Sequence, residues 1–331
     1  MRAVCALAAG ALLAGCERQF SATAPAGPQA ERISDMIWLL TWLGTAVFLA
    51  VVGFLFYALW RGARRELSAE GPETERTLTR RVGGAVGVTT AILLGLLVYN
   101  FYTGRALAAF ADSSAITIRV TGHQWWWSVE YQDPAYSRRV QTANEIHVPV
   151  GRKVRLEVQS RDVIHSFWAP NLHGKLDLIP GYSGTTYFRV DEPGTYHGRC
   201  AEFCGLQHAK MNFLVIAEPP ERFAAWYEAQ LKSSTPPADS LQQTGQQVFL
   251  SKGCVMCHTI RGTQANSRIG PDLTHLASRS MLASGTLPNT PQYLAAWIID
   301  PQRFKKGSNM PATPLSAGDL NALMAYLETL K

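Results

Sequence analysis

Long runs of one charge are missing from this chain, and so is any internal repeat. Its 31 Lys and Arg exceed its 25 Asp and Glu by only six, and those charges are spread out. A nucleic-acid surface needs a clustered basic patch, so nucleic acid is not an expected partner. Cysteine is scarce as well: six in 331 residues are too few for a disulfide scaffold. Yet four of the six fall in two short motifs, 200–204 and 254–258, while Cys5 and Cys16 lie near the N-terminus. Charge is absent altogether from residues 36–60 and 82–104. At about 1.5 Å per helical residue, each stretch reaches across the ~30 Å hydrocarbon layer of a bilayer. Trp38, Trp42, Trp60, Tyr99 and Tyr102 lie near the ends, where aromatic rings favour the membrane–water boundary.

Both stretches therefore read as transmembrane helices. The loop between them, 61–81, holds Arg61, Arg64, Arg65, Arg76, Arg80 and Arg81. A short arginine-rich loop belongs on the cytoplasmic side. Both ends of the hairpin then face outward, and everything after residue 105 is extracytoplasmic. Residues 1–16, "MRAVCALAAGALLAGC", have one early arginine and an apolar core too short to span a bilayer, which suits a signal peptide. The ending "LAGC" resembles the bacterial lipoprotein box, and the resemblance implies lipidation of Cys16.

Beyond the hairpin, residues 112–220 hold short β-rich runs such as "ITIRVTG", "KVRLEVQS" and "NFLVIAE", separated by Gly, Pro and Asp. An antiparallel sandwich or barrel is expected. Residues 221–240 combine a helical run with the linker "SSTPPADS". Residues 241–331 open and close on helical patterns, with Ser316 placed to cap the last helix.

The segment 200–211, "CAEFCGLQHAKM", packs Cys200, Cys204, His208 and Met211 into one loop. Thiolate, imidazole and thioether together select copper over magnesium or calcium. A single blue copper needs one cysteine, whereas two could bridge two coppers. A second histidine must come from elsewhere, and His165 in "DVIHSFW", just after a strand-like run, is the natural candidate. In an oxidising compartment the two cysteines alone could form a disulfide, but His208 and Met211 would then have no purpose. The segment 254–258, "CVMCH", is the attachment signature of haem c, with Cys254 and Cys257 on the thioethers and His258 on the iron. Met281, Met310 and Met324 are the candidates for the distal ligand. Met256 is inside the attachment loop and cannot reach the far face.

"GHQWWWSVEY", "DVIHSFWAPNLHGKLDLIPG" and "CAEFCGLQHAKM" resemble subunit II of the haem–copper cytochrome c oxidases, over residues 31 to about 230. That resemblance implies a membrane hairpin followed by an all-β, Greek-key cupredoxin domain with the binuclear CuA centre. The implied copper ligands are His165, Cys200, Cys204, His208, Met211 and the backbone carbonyl of Glu202. It also implies that the Glu202 carboxylate helps hold Mg²⁺ or Mn²⁺ at the contact with subunit I, and that electrons enter through Trp125. Trp126 stands where the family commonly has Tyr. His123, His173 and His197 are expected not to be ligands. The presence of the copper ligands argues against quinol as donor.

Residues 241–331 resemble an all-α class I cytochrome c. "GPDLTHL" at 270–276 resembles the loop that supports the proximal histidine, and Met310 in "KKGSNMP" stands where that family has its distal ligand. Strict alternation would put Trp125 and Trp127 on one face of a strand and Trp126 on the other. The whole chain thus resembles subunit II of a caa-type oxidase in a bacterial inner membrane. The partners implied are subunits I and III and an external cytochrome c or other periplasmic donor. Such a chain carries electrons from haem c to CuA and on to subunit I, where oxygen is reduced to water and protons are pumped. Two other readings share the relay: the CuA-bearing small subunit of a nitric oxide reductase, and a membrane-anchored carrier with no catalytic partner.

Overall fold

The computed structural model describes residues 20–63, 75–108 and 110–331. The leader with Cys16, and the middle of the arginine-rich loop with Arg64 and Arg65, lie outside the described residues. The chain divides into two compact units, residues 32–111 and residues 112–331 with the segment before 32.

The first unit is a pair of helices, α1 (Pro28–Ala63) and α2 (Glu75–Ala108), each longer than its uncharged core. Their apolar side chains are not covered by protein: Trp42 is 66% exposed and Phe54 71%. So much uncovered apolar surface demands a nonaqueous surrounding, and both helices are long and apolar enough to cross a membrane.

The second unit holds two domains. The first is a sandwich of two five-stranded sheets. Its strands are β1 (Ile116–His123), β2 (Trp126–Gln132), β3 (Val140–Ala143), β4 (Glu145–Pro149), β5 (Lys153–Ser160), β6 (His165–Trp168), β7 (Leu176–Leu178), β8 (Gly184–Arg189), β9 (Gly194–Cys200) and β10 (Asn212–Glu218). One sheet runs β3-β2-β1-β5-β8 and the other β4-β10-β9-β6-β7. The sheets are not wholly antiparallel as the sequence suggested, because β1 pairs with β5, and β4 with β10, in parallel. Side-chain alternation has the same period in both pairings, so the pattern carries no signal for direction.

Alternate residues of β1, β2 and β5 point inward, among them Ile118, Val120, Trp127, Val129, Leu156 and Val158, all essentially sealed from solvent. Trp127 meets Phe213 and Phe167 edge-on at 5.3 and 6.0 Å, and those two rings stack at 4.2 Å. Such aromatic pairs add to the area they bury. Helix α3 (Pro220–Leu231) closes one end, with Trp226 stacked 4.1 Å over His147. Residues before α1 are sewn to the same domain: Ala26 N–H donates to Asn171 C=O, and Asp191 N–H donates to Ala26 C=O, both at 2.8 Å.

The second domain is helical: α4 (Ser240–Ser251), α5 (Pro291–Ile299), α6 (Pro301–Phe304) and α7 (Ala317–Leu327), with a minimal hairpin of β11 (Met281–Leu282) and β12 (Leu287–Pro288). Its helices start where short polar side chains accept from exposed N–H groups. Asp239 caps α4, Thr290 caps α5 and Ser316 caps α7. The stretch before α4 is anchored at its start, because Ser234 N–H and Oγ–H both donate to Arg261 C=O, at 2.9 and 2.8 Å.

Helices α4 and α7 cross with almost no gap. A Cβ on Gly245 would fall 1.9 Å from Ala322 C=O, which is backbone and cannot step aside. Gly245→Ala should cost about 1–3 kcal/mol through overpacking. The thermal midpoint of the haem domain should fall by several degrees, followed in the haem absorption, while the copper signal stays as it was.

Candidate metal and haem sites

Strands β9 and β10 pair antiparallel with Arg199 opposite Asn212. The register leaves Cys200 and Met211 facing each other across the mouth of the connecting loop, closed by Cys200 N–H donating to Met211 C=O at 2.9 Å. On the other side of β9, Phe167 of β6 pairs with Cys200, so His165 at the start of β6 is brought to the same point.

Five side chains converge there. Cys200 Sγ lies 3.8 Å from Cys204 Sγ and 3.8 Å from His165 Nδ1. Cys204 Sγ lies 3.6 Å from His208 Nδ1 and 3.8 Å from Met211 Sδ. Glu202 C=O stands 3.2 Å from Cys200 Sγ. The thiols are unbonded, and His165, Cys200 and Cys204 form a buried donor cluster. The Cys204 S–H holds Cys200 down to about 3, as a thiolate, while that hydrogen bond and burial push Cys204 well above the ordinary thiol range. Burial opposes charge on His165, but the Cys200 thiolate and Asp162 outweigh it and raise its pKa. This donor set fits soft metal ions, which replace the thiol proton and ligate both thiolates.

Asp162 was not singled out in the sequence, although it stands three residues before His165. Its carboxylate takes His165 Nε2 at 2.8 Å, which leaves Nδ1 turned to the thiols. A carboxylate behind a ligating imidazole sets its tautomer and orientation. Gly122 supplies the floor: a Cβ there would fall 2.8 Å from His165 Cδ2.

Trp125 stands outside the strand that alternation assigned to it. β2 begins at Trp126, so Trp127 is sealed in the core and Trp126 stacks on His123 at 4.4 Å. Trp125 lies in the turn before β2, and its Nε1–H donates to Cys204 C=O at 2.9 Å. Gln124 Nε2–H donates to the same carbonyl at 2.7 Å. The indole therefore touches the backbone of the cysteine loop.

The Glu202 carboxylate points away from the cluster, 3.8 Å from Lys175 Nζ, and neighbouring Phe203 is 76% exposed. His173 bonds elsewhere, to Gly174 C=O and Thr186 Oγ1. His197 sits on β9 opposite Leu214. Burial pulls His123 down to about 4, so it is neutral.

In the helical domain, Cys254–Met256 form a single tight turn with His258 just beyond it. His258 Nδ1 is 2.8 Å from Pro271 C=O, so the ring donates there and Nε2 is free to ligate. Burial lowers its pKa and keeps it neutral. A Cβ on Gly270 would fall 2.8 Å from His258 Cε1, so that glycine is the cradle of the ring. Cys254 and Cys257 are free and partly buried. An oriented neutral imidazole beside two free thiols fits a covalent haem. Met310 packs half-buried against the domain core, Met324 is part of that core on α7, and Met281 heads β11.

A copper-type donor cluster in a β-sandwich, joined to a CxxCH helical domain, defines a membrane-anchored electron-transfer protein. Residues 116–218 match the family described as cytochrome c oxidase subunit II, periplasmic domain, and residues 242–331 match cytochrome c. Cytochrome c oxidase subunit 2 of Alkalihalophilus pseudofirmus is 36% identical, over 96% of this chain and 94% of its own. The subunit 2 of Bacillus subtilis is 28% identical over 97% and 94%. The crystal structure of the periplasmic domain of subunit II of cytochrome oxidase from Bradyrhizobium japonicum aligns at 31% identity and a TM-score of 0.34, covering 37% of this chain and 96% of that one. The chain belongs to the cytochrome c oxidase subunit 2 family and carries a cytochrome c domain.

Gly122→Ala should displace His165, which is buried and tied to Asp162 and has nowhere to go. Copper affinity should drop on the order of tenfold, as when the support of a metal ligand is removed. The copper-to-haem ratio and the copper EPR hyperfine pattern report the change, and covalent haem content should remain normal.

Proposed function

We propose that this chain is the electron-accepting subunit of a proton-pumping terminal oxidase. Electrons arrive from an external donor at the haem domain, cross to the copper domain, and leave to the haem–copper centre of subunit I, where oxygen becomes water. The convergence of His165, Cys200, Cys204, His208 and Met211 beside the Glu202 carbonyl carries this reading. When bound, the copper pair and the haem iron each take up and release single electrons. The chain's own residues hold those groups rigidly. The thiolates of Cys200 and Cys204 and the imidazoles of His165 and His208 would hold the coppers, with the Met211 thioether and the Glu202 carbonyl as further donors. Cys254, Cys257 and His258 would hold the haem, with Met310 as the candidate second ligand. Thioether ligation raises a haem potential relative to bis-histidine, which suits a donor to copper. In this reading the chain moves electrons, and oxygen is reduced in subunit I. Trp125 stands between the two domains: its Nε1–H donates to Cys204 C=O of the cysteine loop, and its own C=O accepts from Lys305 Nζ of the haem domain.

The partner is subunit I, and the exposed Phe203 and Glu202 beside the ligand loop suit that contact. There the Glu202 carboxylate would share a Mg²⁺ or Mn²⁺, hard ions that prefer oxygen. Subunit III completes the assembly. The hairpin lies in the bacterial inner membrane with both soluble domains outside the cytoplasm, and Cys16 carries a lipid after removal of the leader. Presence of the Glu202 side chain and a two-span hairpin favours a docked subunit over a free carrier.

Cys200→Ser and Cys204→Ser each remove a thiolate donor whose softness a hydroxyl cannot replace. Both should abolish the copper EPR signal of the purified complex while covalent haem content persists. An unchanged copper signal in either variant would defeat the assignment.

Tethering has a kinetic signature. Residues 241–331 carry eight Lys and Arg against four Asp and Glu, a net +4, while residues 112–220 carry eleven of each sign. A short tether gives an effective concentration on the order of millimolar, so transfer between domains needs no long-range steering. In stopped-flow or flash kinetics, the interdomain step should barely respond to salt. Delivery from a separate donor should slow as salt rises.

A further inference from the structure

The two soluble domains meet over a surface where two buried ionisable side chains each gather several hydrogen bonds. Lys305, at the end of α6 in the haem domain, is 3% exposed, and Glu145, at the start of β4 in the copper domain, is 4% exposed. Lys305 Nζ donates to Trp125 C=O at 2.7 Å, to Lys210 C=O at 2.9 Å and to Ala283 C=O at 3.2 Å. Three carbonyl acceptors match the three N–H donors of an ammonium, while burial pulls the pKa of the amine down to about 7. Glu145 Oε1 accepts from Ser280 N–H at 2.9 Å, Ser280 Oγ–H at 2.6 Å and Met281 N–H at 3.0 Å. Removing either charge would strand its several partners in a buried interface.

What these bonds join matters more than their number. Lys210 sits between His208 and Met211, and Trp125 is bonded to Cys204 C=O, so on one side the anchor is the copper loop. On the other side, Lys305 opens the segment that runs to Met310. Gln207 Nε2–H donates to Lys306 C=O at 2.7 Å, and Asn309 Nδ2–H donates to Gln124 C=O at 3.4 Å. Ala283 and Ser284, on the same surface, have φ of 50° and 59°, left-handed values that cost a residue with a Cβ. Ser284 answers by donating Oγ–H to Asn212 C=O at 2.8 Å and accepting Asn212 N–H at 3.1 Å.

We propose that Lys305 is a positioning residue which, with Glu145, clamps the haem domain onto the Trp125 face of the copper domain in one orientation, so that Trp125 is an internal relay closed to outside donors. This rests on the electron route proposed above. The clamp itself, however, is read independently of that route.

The test uses the assembled oxidase with Lys305→Met, which keeps length but removes the ammonium, and Glu145→Gln, which removes the opposite charge. Lys306→Met, an exposed neighbour whose carbonyl is retained, is the control. The first readout is amide hydrogen exchange of segments 280–286 and 304–309. It should accelerate at least about tenfold in both clamp variants and in neither segment of the control. The second readout is haem-to-copper transfer after rapid reduction, which should slow severalfold and become viscosity-dependent, with haem and copper content unchanged. Protected segments in a fully loaded Lys305→Met or Glu145→Gln oxidase would overturn the clamp. Faster exchange with an unchanged transfer rate would overturn the positioning role. If Lys305→Met failed to load its cofactors, Glu145→Gln, which approaches the interface from the other domain, would decide. Loss of electron transfer in the control as well would point to the proposed route rather than the clamp.

Discussion

A single backbone pairing governs the copper end of this protein: Cys200 N–H donating to Met211 C=O. It ends the β9–β10 ladder at the point where the chain leaves to form the ligand loop. The ladder on one side and the β6 pairing on the other fix Cys200 in a sheet, and only the intervening loop has to adapt. A site built on strand ends is held more exactly than one on free loops. If the site serves the proposed electron transfer, that rigidity is the property such a centre needs. The surrounding aromatic core of Trp127, Phe167 and Phe213 keeps the two sheets from sliding.

Both sites follow the same construction at different scales. His165 is aimed by Asp162 from behind and by Gly122 from below; His258 is aimed by Pro271 C=O and by Gly270. In each pair, a hydrogen bond engages one ring nitrogen and leaves the other turned toward the thiols or away from the bond, and a glycine permits a close approach that a Cβ would block. The glycines and the carbonyl look unremarkable in isolation, but they determine where the ligand points.

Soft donors at short spacing were legible in the sequence because chemistry constrains them locally. The Cys200–Met211 set, the CVMCH signature and the uncharged helices each speak within a dozen or two residues. The parallel pairings of β1 with β5 and β4 with β10 were not legible, since period-two alternation is blind to strand direction. Trp125 was misplaced on a strand because alternation cannot locate where a strand begins. Lys305 and Glu145 were invisible for a different reason. A lysine in "FKKG" and a glutamate before "IHVP" have the composition of solvated charges, and only the opposing domain, far away in sequence, buries them.

That burial changes what kind of interface the Trp125 face can be. A surface that receives a diffusing partner must release it again, so it stays wet, and its charges act at a distance through screened fields. Under the proposed clamp, carbonyls of this face are engaged by Lys305 of the same chain, and the tether keeps the two domains together. Tight binding would be a fault in a shuttle, where release sets turnover, but it costs nothing in a tethered pair. On the proposed route, recognition of a separate donor would fall to the haem domain and its net positive charge.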